Sequence, residues 1–481
     1  MPQQVLIIHG WSDTSASFHP LADFLGQHGY QAREMWLGDY ISLDDDVRVA
    51  DVGRRMGEVI DAMLGSGQLA PSFDVIVHST GGLVAREWLT TRYRGQAETC
   101  PMKRLVMLAP ANFGSKLAAT GKSFLGRLAK GYNNGFQTGK AMLNDLELAS
   151  PYQWELAQRD LLIAPDSIDK DRYYGADRVW PFVIVGTHPY NSLFRQLVNE
   201  NGADGTVRVC AANMNARGAT INFNADNPGQ AVTVWESRLE ADVPLAVLPT
   251  RTHASITDPD RVVGDNRDGI EESDAEKARL GQLILQALAC DSFAAYQAIQ
   301  DEWDQLTEAT AALAKADQPG SLDDGKLQIY HQYMQANCYV VDDYGKPVPD
   351  YFLEFSPGAG DPAYDEANLY LHAHVVEDVK INSQNAALRN LYFDRSDLMY
   401  GYYGLLKNDA DPVLMMSISA ASPGPNIDYF MRNGSQANMQ VPLHFQDEAT
   451  KRWLRRNATH FLQIVIPRVP KENVFKLTRV G

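Results

Sequence analysis

The chain has 481 residues, 45% hydrophobic and 21% charged, which excludes a wholly disordered chain, a collagen and a disulfide-stapled miniprotein. Its 43 Lys and Arg against 60 Asp and Glu leave a net charge of −17, which argues against nucleic acid bound through a broad basic surface. No apolar run approaches the roughly 20 residues that span a bilayer.

Met1-Pro2-Gln3-Gln4 runs directly into Val5-Leu6-Ile7-Ile8. This stretch is too short for a signal-peptide core and has neither a basic n-region nor a cleavage site, so it reads as a strand. The expectation is a cytoplasmic or peripherally membrane-associated protein that reaches a cell surface only by a non-Sec route. From there to about residue 290, short apolar runs alternate with amphipathic helical patterns. The strand candidates are 5–8, 31–37, 73–77, 104–108, 182–185 and 245–248, with helices at 52–64 and 82–89 among those between them. This alternation predicts a mostly parallel sheet covered by helices, with reactive residues in loops at the carboxyl ends of strands. Residues 112–180, with Gly121-Lys122-Ser123 and many aromatics, are less regular and read as an insertion or lid over that edge. Residues 275–316 are strongly helical.

Gln318-Pro319-Gly320-Ser321 then breaks the pattern, and the apolar period changes to two. The predicted strands are 327–341, 351–355, 369–376, 413–418 and 461–466, with a turn at 342–348. The predicted organisation is an α/β domain over 1–318 and an all-β, sandwich-like domain over 325–481. Cys100, Cys210, Cys290 and Cys338 are widely spaced and form no Cys-x-x-Cys pair, so they read as buried free thiols of a reducing compartment.

The sharpest local signal is Val75-Ile76-Val77-His78-Ser79-Thr80-Gly81-Gly82. An apolar strand enters a serine flanked by small residues, and a helix follows. That is a nucleophile elbow, although Val77 stands where glycine is usual. The bland alternative is a helix N-cap serine. A serine hydroxyl needs a base to take its proton. His253 follows the 245–248 strand within Arg251-Thr252-His253-Ala254, and it is the expected base. His78 adjoins the serine and reads as structural. The orienting acid is expected to be Asp204, in Ala203-Asp204-Gly205-Thr206-Val207, between the 182–185 strand and His253. Asp-Gly is also a common turn, and Asp258 is the alternative. The backbone N–H groups of Thr80, next to the nucleophile, and of Trp11, in His9-Gly10-Trp11 after the first strand, are the predicted oxyanion donors. His372-x-His374 reads as a surface or core pair, not a zinc site. No phosphate-binding glycine loop occurs, and the expected chemistry uses no cofactor or metal.

Several stretches together resemble the bacterial cell-associated phospholipase A and lysophospholipase A family (PlaB-like, Legionella type), within the α/β-hydrolases. They are His9-Gly10-Trp11-Ser12, Leu37-Gly38-Asp39-Tyr40-Ile41-Ser42, His78-Ser79-Thr80-Gly81-Gly82 and Met107-Leu108-Ala109-Pro110-Ala111-Asn112. Gly114-Ser115, Gly121-Lys122-Ser123, Asp204-Gly205-Thr206-Val207-Arg208-Val209 and Asn213-Met214-Asn215 complete the match, so most of residues 1–260 takes part. The resemblance implies a Ser79-Asp204-His253 triad, phospholipid and lysophospholipid substrates, a β-rich C-terminal domain required for activity, and self-association into a homo-oligomer. The residue chemistry alone equally serves a carboxylesterase, another lipase or an acyltransferase, and a non-catalytic binding or assembly module is the reading from outside enzymes. Lys451-Arg452-Trp453-Leu454-Arg455-Arg456 mixes cations with an aromatic and is the candidate contact with a phospholipid membrane, its alternative being a solvated helix face.

Overall fold

The computed structural model describes residues 4–479 except 12, 31–34, 120–138, 191–198, 224–231, 260–273, 317–327, 358–361, 407–411, 430–438 and 445–453. The strands used below are β1 Gln4–Ile8, β2 Met35–Gly38, β3 Phe73–His78, β4 Met102–Leu108, β5 Trp180–Gly186, β6 Arg217–Asn222, β7 Val232–Val234 and β8 Leu245–Leu248. They continue with β9 Tyr333–Asp342, β10 Tyr351–Ser356, β11 Val376–Ile381, β12 Leu388–Asp394, β13 Val413–Ala420, β14 Met439–His444 and β15 Thr459–Ile466. The helices are α1 His19–Gln27, α2 Val49–Ser66, α3 Gly81–Arg92, α4 Pro151–Asp160, α5 Asp274–Ala289 and α6 Phe293–Ala312.

The first sheet has the order β8-β5-β4-β3-β1-β2, all parallel. Every residue of β3 and β5 is buried, as in strands covered on both faces; β5 is apolar throughout, and the one carboxylate of β3, Asp74, pairs with Arg104 of β4. The chain steps from β1 outward to β2 and returns past β1 to β3. Right-handed crossovers therefore put α1 on one face and α2 and α3 on the other, and the crevice between the ends of β1 and β3 is the switch point where ligands bind in such sheets. The edge strand β8 is shielded by α6. The Thr307 and Thr310 hydroxyls donate to the carbonyls of Leu245 (2.8 Å) and Val247 (2.7 Å), supplying partners that a further strand would otherwise provide.

The second sheet, β11-β12-β9-β15-β6-β7, differs from the expected division at 318–325. Strands β6 and β7 precede that boundary, yet β6 runs parallel to β15, with His460 opposite Arg217. A sequence boundary marks where the composition changes. Pairing is decided by which edge offers free backbone groups, and β15 offers one to β6. Side chains of this sheet, among them Cys338, Val340, Leu391 and Ile464, share one buried cluster with Phe355, Leu414 and Met416 of a three-stranded sheet, β10-β13-β14. The two parts of the chain meet through aromatic rings. Trp154 of α4 stands edge-on to Phe461 (5.2 Å) and Tyr339 (5.5 Å). All four cysteines are free and buried.

Of the expected strand 369–376, only Val376 is in a strand, as the first residue of β11. Helix Pro362–Tyr370 continues into a single π turn at Leu371–Val375. Ala367, Leu371 and Val375, each four residues apart, are the buried face. His372 and His374 are both exposed on that turn. Of the basic stretch, residues 451–453 lie outside the described residues, and Leu454 is buried. Arg455 pairs with Asp242, and Arg456 pairs with Glu308 of α6. These two cations tie the C-terminal part to the first, which leaves them less free for lipid headgroups than expected. Among the described residues no helix is long and apolar enough to cross a membrane.

His460 on β15 is 4% exposed, and burial pushes its imidazole down to about 4. The neutral ring is satisfied: Nδ1–H donates to the Gln335 carbonyl (3.3 Å), and Nε2 accepts the Arg455 N–H (3.2 Å). Between pH 4 and 6.5 the unfolded chain binds the proton that the folded chain refuses. Stability is therefore lost as pH falls through that window, by roughly 3 kcal/mol at most. The melting temperature is expected to drop between pH 7 and 4.5, and a His460→Asn variant to drop less. Parallel curves for the two proteins would show that other groups carry the acid limb.

Candidate active site

β3 ends in Ser79, whose φ of +52° lies in the left-handed region that serine rarely adopts. The strain is held by neighbouring strands and turns. Ser79 N–H donates to the Leu108 carbonyl at the end of β4 (3.1 Å), and the Ser79 carbonyl accepts from Gly82 N–H and Ala111 N–H. Strain of this kind persists only where the surroundings over-determine it, and such places cluster at reactive sites. Arg86, one turn further along α3, is fully buried and grips Asp160 at the end of α4 with two bonds of 2.8 and 2.9 Å. It also donates to the Asn112 carbonyl (3.1 Å) and Oδ1 (3.2 Å), so the Ala109-Pro110-Ala111-Asn112 stretch scaffolds the elbow.

The structure brings Ser79, His253 and Asp204 together, although they are separated by up to 174 positions. The Ser79 hydroxyl lies 3.0 Å from His253 Nε2. His253 Nδ1–H donates to Asp204 Oδ2 at 2.8 Å. Asp204 is fully buried, and its other oxygen accepts the N–H groups of Thr206 (2.9 Å) and Val207 (2.8 Å). A carboxylate out of water is tolerable when its lone pairs are filled in this way. The main chain adds one more tie, His253 N–H to the Asp204 carbonyl at 2.9 Å. Asp258, the alternative acid, is elsewhere. It closes the 255–257 turn, and its carbonyl accepts from Arg251.

His78 does not reach the serine. Its Nε2–H donates to the His253 carbonyl (3.0 Å), with the two rings 4.6 Å apart. Burial, reinforced by His253, holds the His78 imidazole well below its ordinary pKa and hence neutral. It is a strut between the elbow and the histidine loop. Only the fold discloses this role, because the sequence separation is 175 positions.

At the carboxyl end of β1, His9 Nδ1–H donates to the Gly10 carbonyl (2.6 Å), Nε2 accepts the Tyr40 N–H (3.1 Å), and the ring stacks on Tyr40 at 4.3 Å. A trans peptide sets N–H opposite C=O, so the Trp11 N–H points to the other side of the loop from the His9 ring. A Cβ built on Gly10 would lie 2.7 Å from the Ser79 Cβ, so the glycine lets this loop lie directly on the serine. The Trp11 indole N–H and the Thr80 hydroxyl are buried with no partner among the described residues.

For a metal, His331, Asp394 and Asp397 bring ligand atoms within 4.8 Å of one another. Asp394 uses both oxygens internally, toward His331 Nδ1–H (2.6 Å) and the Asp397 N–H (3.0 Å). The group therefore reads as a structural network at a helix start.

This architecture is that of an α/β-hydrolase, and the profile of the alpha/beta hydrolase family matches residues 5–265; the chain belongs to this family. Among solved structures it is similar to phospholipase PlaB from Legionella pneumophila, in complex with thio-NAD (TM-score 0.76) and in a second structure (TM-score 0.75). In both cases the identity is 25%, over 99% of this chain and 96% of that chain. No curated protein sequence matches.

Proposed function

We propose that the protein is a serine hydrolase that cleaves the acyl esters of glycerophospholipids and lysophospholipids. The carrying observation is the likeness to phospholipase PlaB along the full length of both chains, joined to the Ser79–His253–Asp204 hydrogen-bond relay. In the mechanism, Ser79 Oγ attacks the acyl carbonyl while its proton passes to His253 Nε2. Asp204 holds the imidazolium, and the N–H groups of Trp11 and Thr80 take the oxyanion. His253 returns the proton to the departing alcohol oxygen. Water then attacks the acyl-enzyme with the same base, releasing fatty acid and free Ser79. No cofactor enters these steps.

An apolar cavity of about 440 Å³ supports a fatty substrate. It lies between α2 and β1, with Leu6, Ile8, Met56, Ile60, Met63 and Val84 in its wall. Tyr40, whose ring stacks on His9, is also in its wall. Met56→Trp, which fills it, is expected to lower turnover of long-chain esters at least tenfold more than that of butyryl esters. An equal change for all chain lengths would remove the cavity from the substrate path. The two-domain division and the assembly into homo-oligomers belong to the same proposal, with the domain boundary redrawn so that β6 and β7 go to the C-terminal sheet.

The test is release of free fatty acid from phospholipid vesicles and from lysophospholipid by wild type and Ser79→Ala. Release by wild type alone is the expected result. Cleavage of short p-nitrophenyl esters without any release from lipid would make it a carboxylesterase instead.

A further inference from the structure

We propose that Arg208 is a positioning residue of the active site: gripped by Asn390 and Gln335 of the C-terminal sheet, it fixes the loop that carries Asp204. The inference rests on the reading of Asp204 as the orienter of His253.

Arg208 is 1% exposed, and its guanidinium is surrounded by side chains from both parts of the chain. Nε and Nη2 form a fork on Glu200, with both bonds at 2.7 Å. Nη1 donates to Asn390 Oδ1 of β12 at 2.6 Å and to Gln335 Oε1 of β9 at 3.3 Å. Nη2 reaches Asp378 of β11 at 3.3 Å, and the Tyr392 ring of β12 lies 3.8 Å from the guanidinium carbon. A planar, permanently charged fork suits such a site in a way that a lysine ammonium cannot. Lys116, at the base of the insertion, adds contacts to Glu200 (2.9 Å) and Asp378 (3.4 Å).

The anchor is coupled tightly to the carboxylate. The 202–209 loop is closed on itself: Val209 N–H donates to the Gly202 carbonyl (2.9 Å), and Asp204 N–H donates to the Val207 carbonyl (3.1 Å). Ala203 and Arg208 face each other across an antiparallel bridge, so the anchor sits opposite the residue before Asp204. Gly202 has φ +67° and lies against the stacked rings of Tyr333 and Tyr392, where a side chain would collide. The Tyr392 hydroxyl donates to the Asn201 carbonyl (2.6 Å), and the Thr459 hydroxyl of β15 donates to the Cys210 carbonyl (2.8 Å). The acid loop is thus pinned at Asn201, Arg208 and Cys210 by four strands of the C-terminal sheet, β9, β11, β12 and β15. Asp204 makes its bond to His253 between these pins. Arg208 and Asn390 are positioning residues that act through Asp204.

The experiment is a double-mutant cycle on hydrolysis of a soluble p-nitrophenyl ester, with melting temperatures recorded alongside. Arg208→Lys and Asn390→Leu are each combined with Asp204→Asn. Each single anchor variant is expected to lower kcat by about 10- to 100-fold with little change in KM, because a displacement near 1 Å suffices for such a loss. On the Asp204→Asn background the same substitutions should cost less than threefold. Equal fold-losses on both backgrounds, or losses that raise KM as much as they lower kcat and follow the melting temperature alone, overturn the proposal. If Arg208→Lys does not fold, the Asn390→Leu cycle decides in the same way. Should Asp204→Asn itself keep full activity, it is the reading of Asp204 that fails, an outcome distinct from additive losses in an otherwise impaired Asp204→Asn enzyme.

Discussion

Ser79→Ala is expected to lower ester turnover by about 10⁵- to 10⁶-fold, the scale on which loss of the nucleophile disables a Ser-His-Asp site. The substitution removes one hydroxyl and its bond to His253 and adds no bulk to the elbow, so the protein should fold as wild type does. A companion variant reads the strain directly. Ser79 sits at φ +52°, which glycine adopts without steric cost. Ser79→Gly should therefore be equally inactive yet more stable by about 1 kcal/mol in urea unfolding. Residual turnover of the alanine variant within 100-fold of wild type would mean that another nucleophile operates. A destabilised Ser79→Gly would show that the positive φ carries no stored strain.

Gly10→Ala is the second substitution with a large expected effect. The new methyl would stand 2.7 Å from the Ser79 Cβ and 3.2 Å from His78 Nδ1, both fixed parts of the elbow. Real Cβ atoms do not sit that close to carbon, so the His9–Trp11 loop has to retreat. On the proposed reading this loop supplies the Trp11 N–H to the oxyanion, and loss of one such donor costs about 10²- to 10³-fold in kcat. KM should change little, because the donor acts mainly on charge that develops in the transition state. The Ser79–His253–Asp204 relay is untouched, so a fluorophosphonate probe should still label Ser79, at a reduced rate. A kcat within threefold of wild type would place the second donor outside this loop.

Several outcomes were readable from local sequence. The elbow is a strand, a turn and a helix in unbroken succession, so its signal survives without tertiary information. The same holds for strands such as β5 and β8, buried along their whole length and apolar almost throughout. The Asp204 loop and the His253 loop follow in the order that Ser-Asp-His sites of this fold use, which made them legible by position as well as by chemistry. The partners of His78 and Arg208 were not legible. A histidine beside a serine and an arginine four residues after an aspartate are common. Their partners, the His253 carbonyl and the side chains of Glu200, Asn390 and Gln335, are brought to them mainly by contacts that no local pattern records.

The C-terminal part divides in the same way. Period-two patterns located β10 and β13, whose burial alternates along the strand, whereas β9 is buried along nearly its whole length. The 369–376 stretch misled, since its alternating apolar residues satisfy a strand template while its buried residues are four apart. By itself, then, the sequence determined the class of fold and the strand that runs into Ser79, and it singled out Asp204 and His253, which the structure brings within hydrogen-bond distance of each other; these depend on residue type and near neighbours. Only the tertiary structure decided that β6 and β7 leave the first part to join the second sheet, that Arg455 and Arg456 face acids across the junction, and that the Asp204 loop is held from the far side of that junction. Those outcomes depend on the pairing of free sheet edges and on the burial of charge against charge, between residues far apart in the chain.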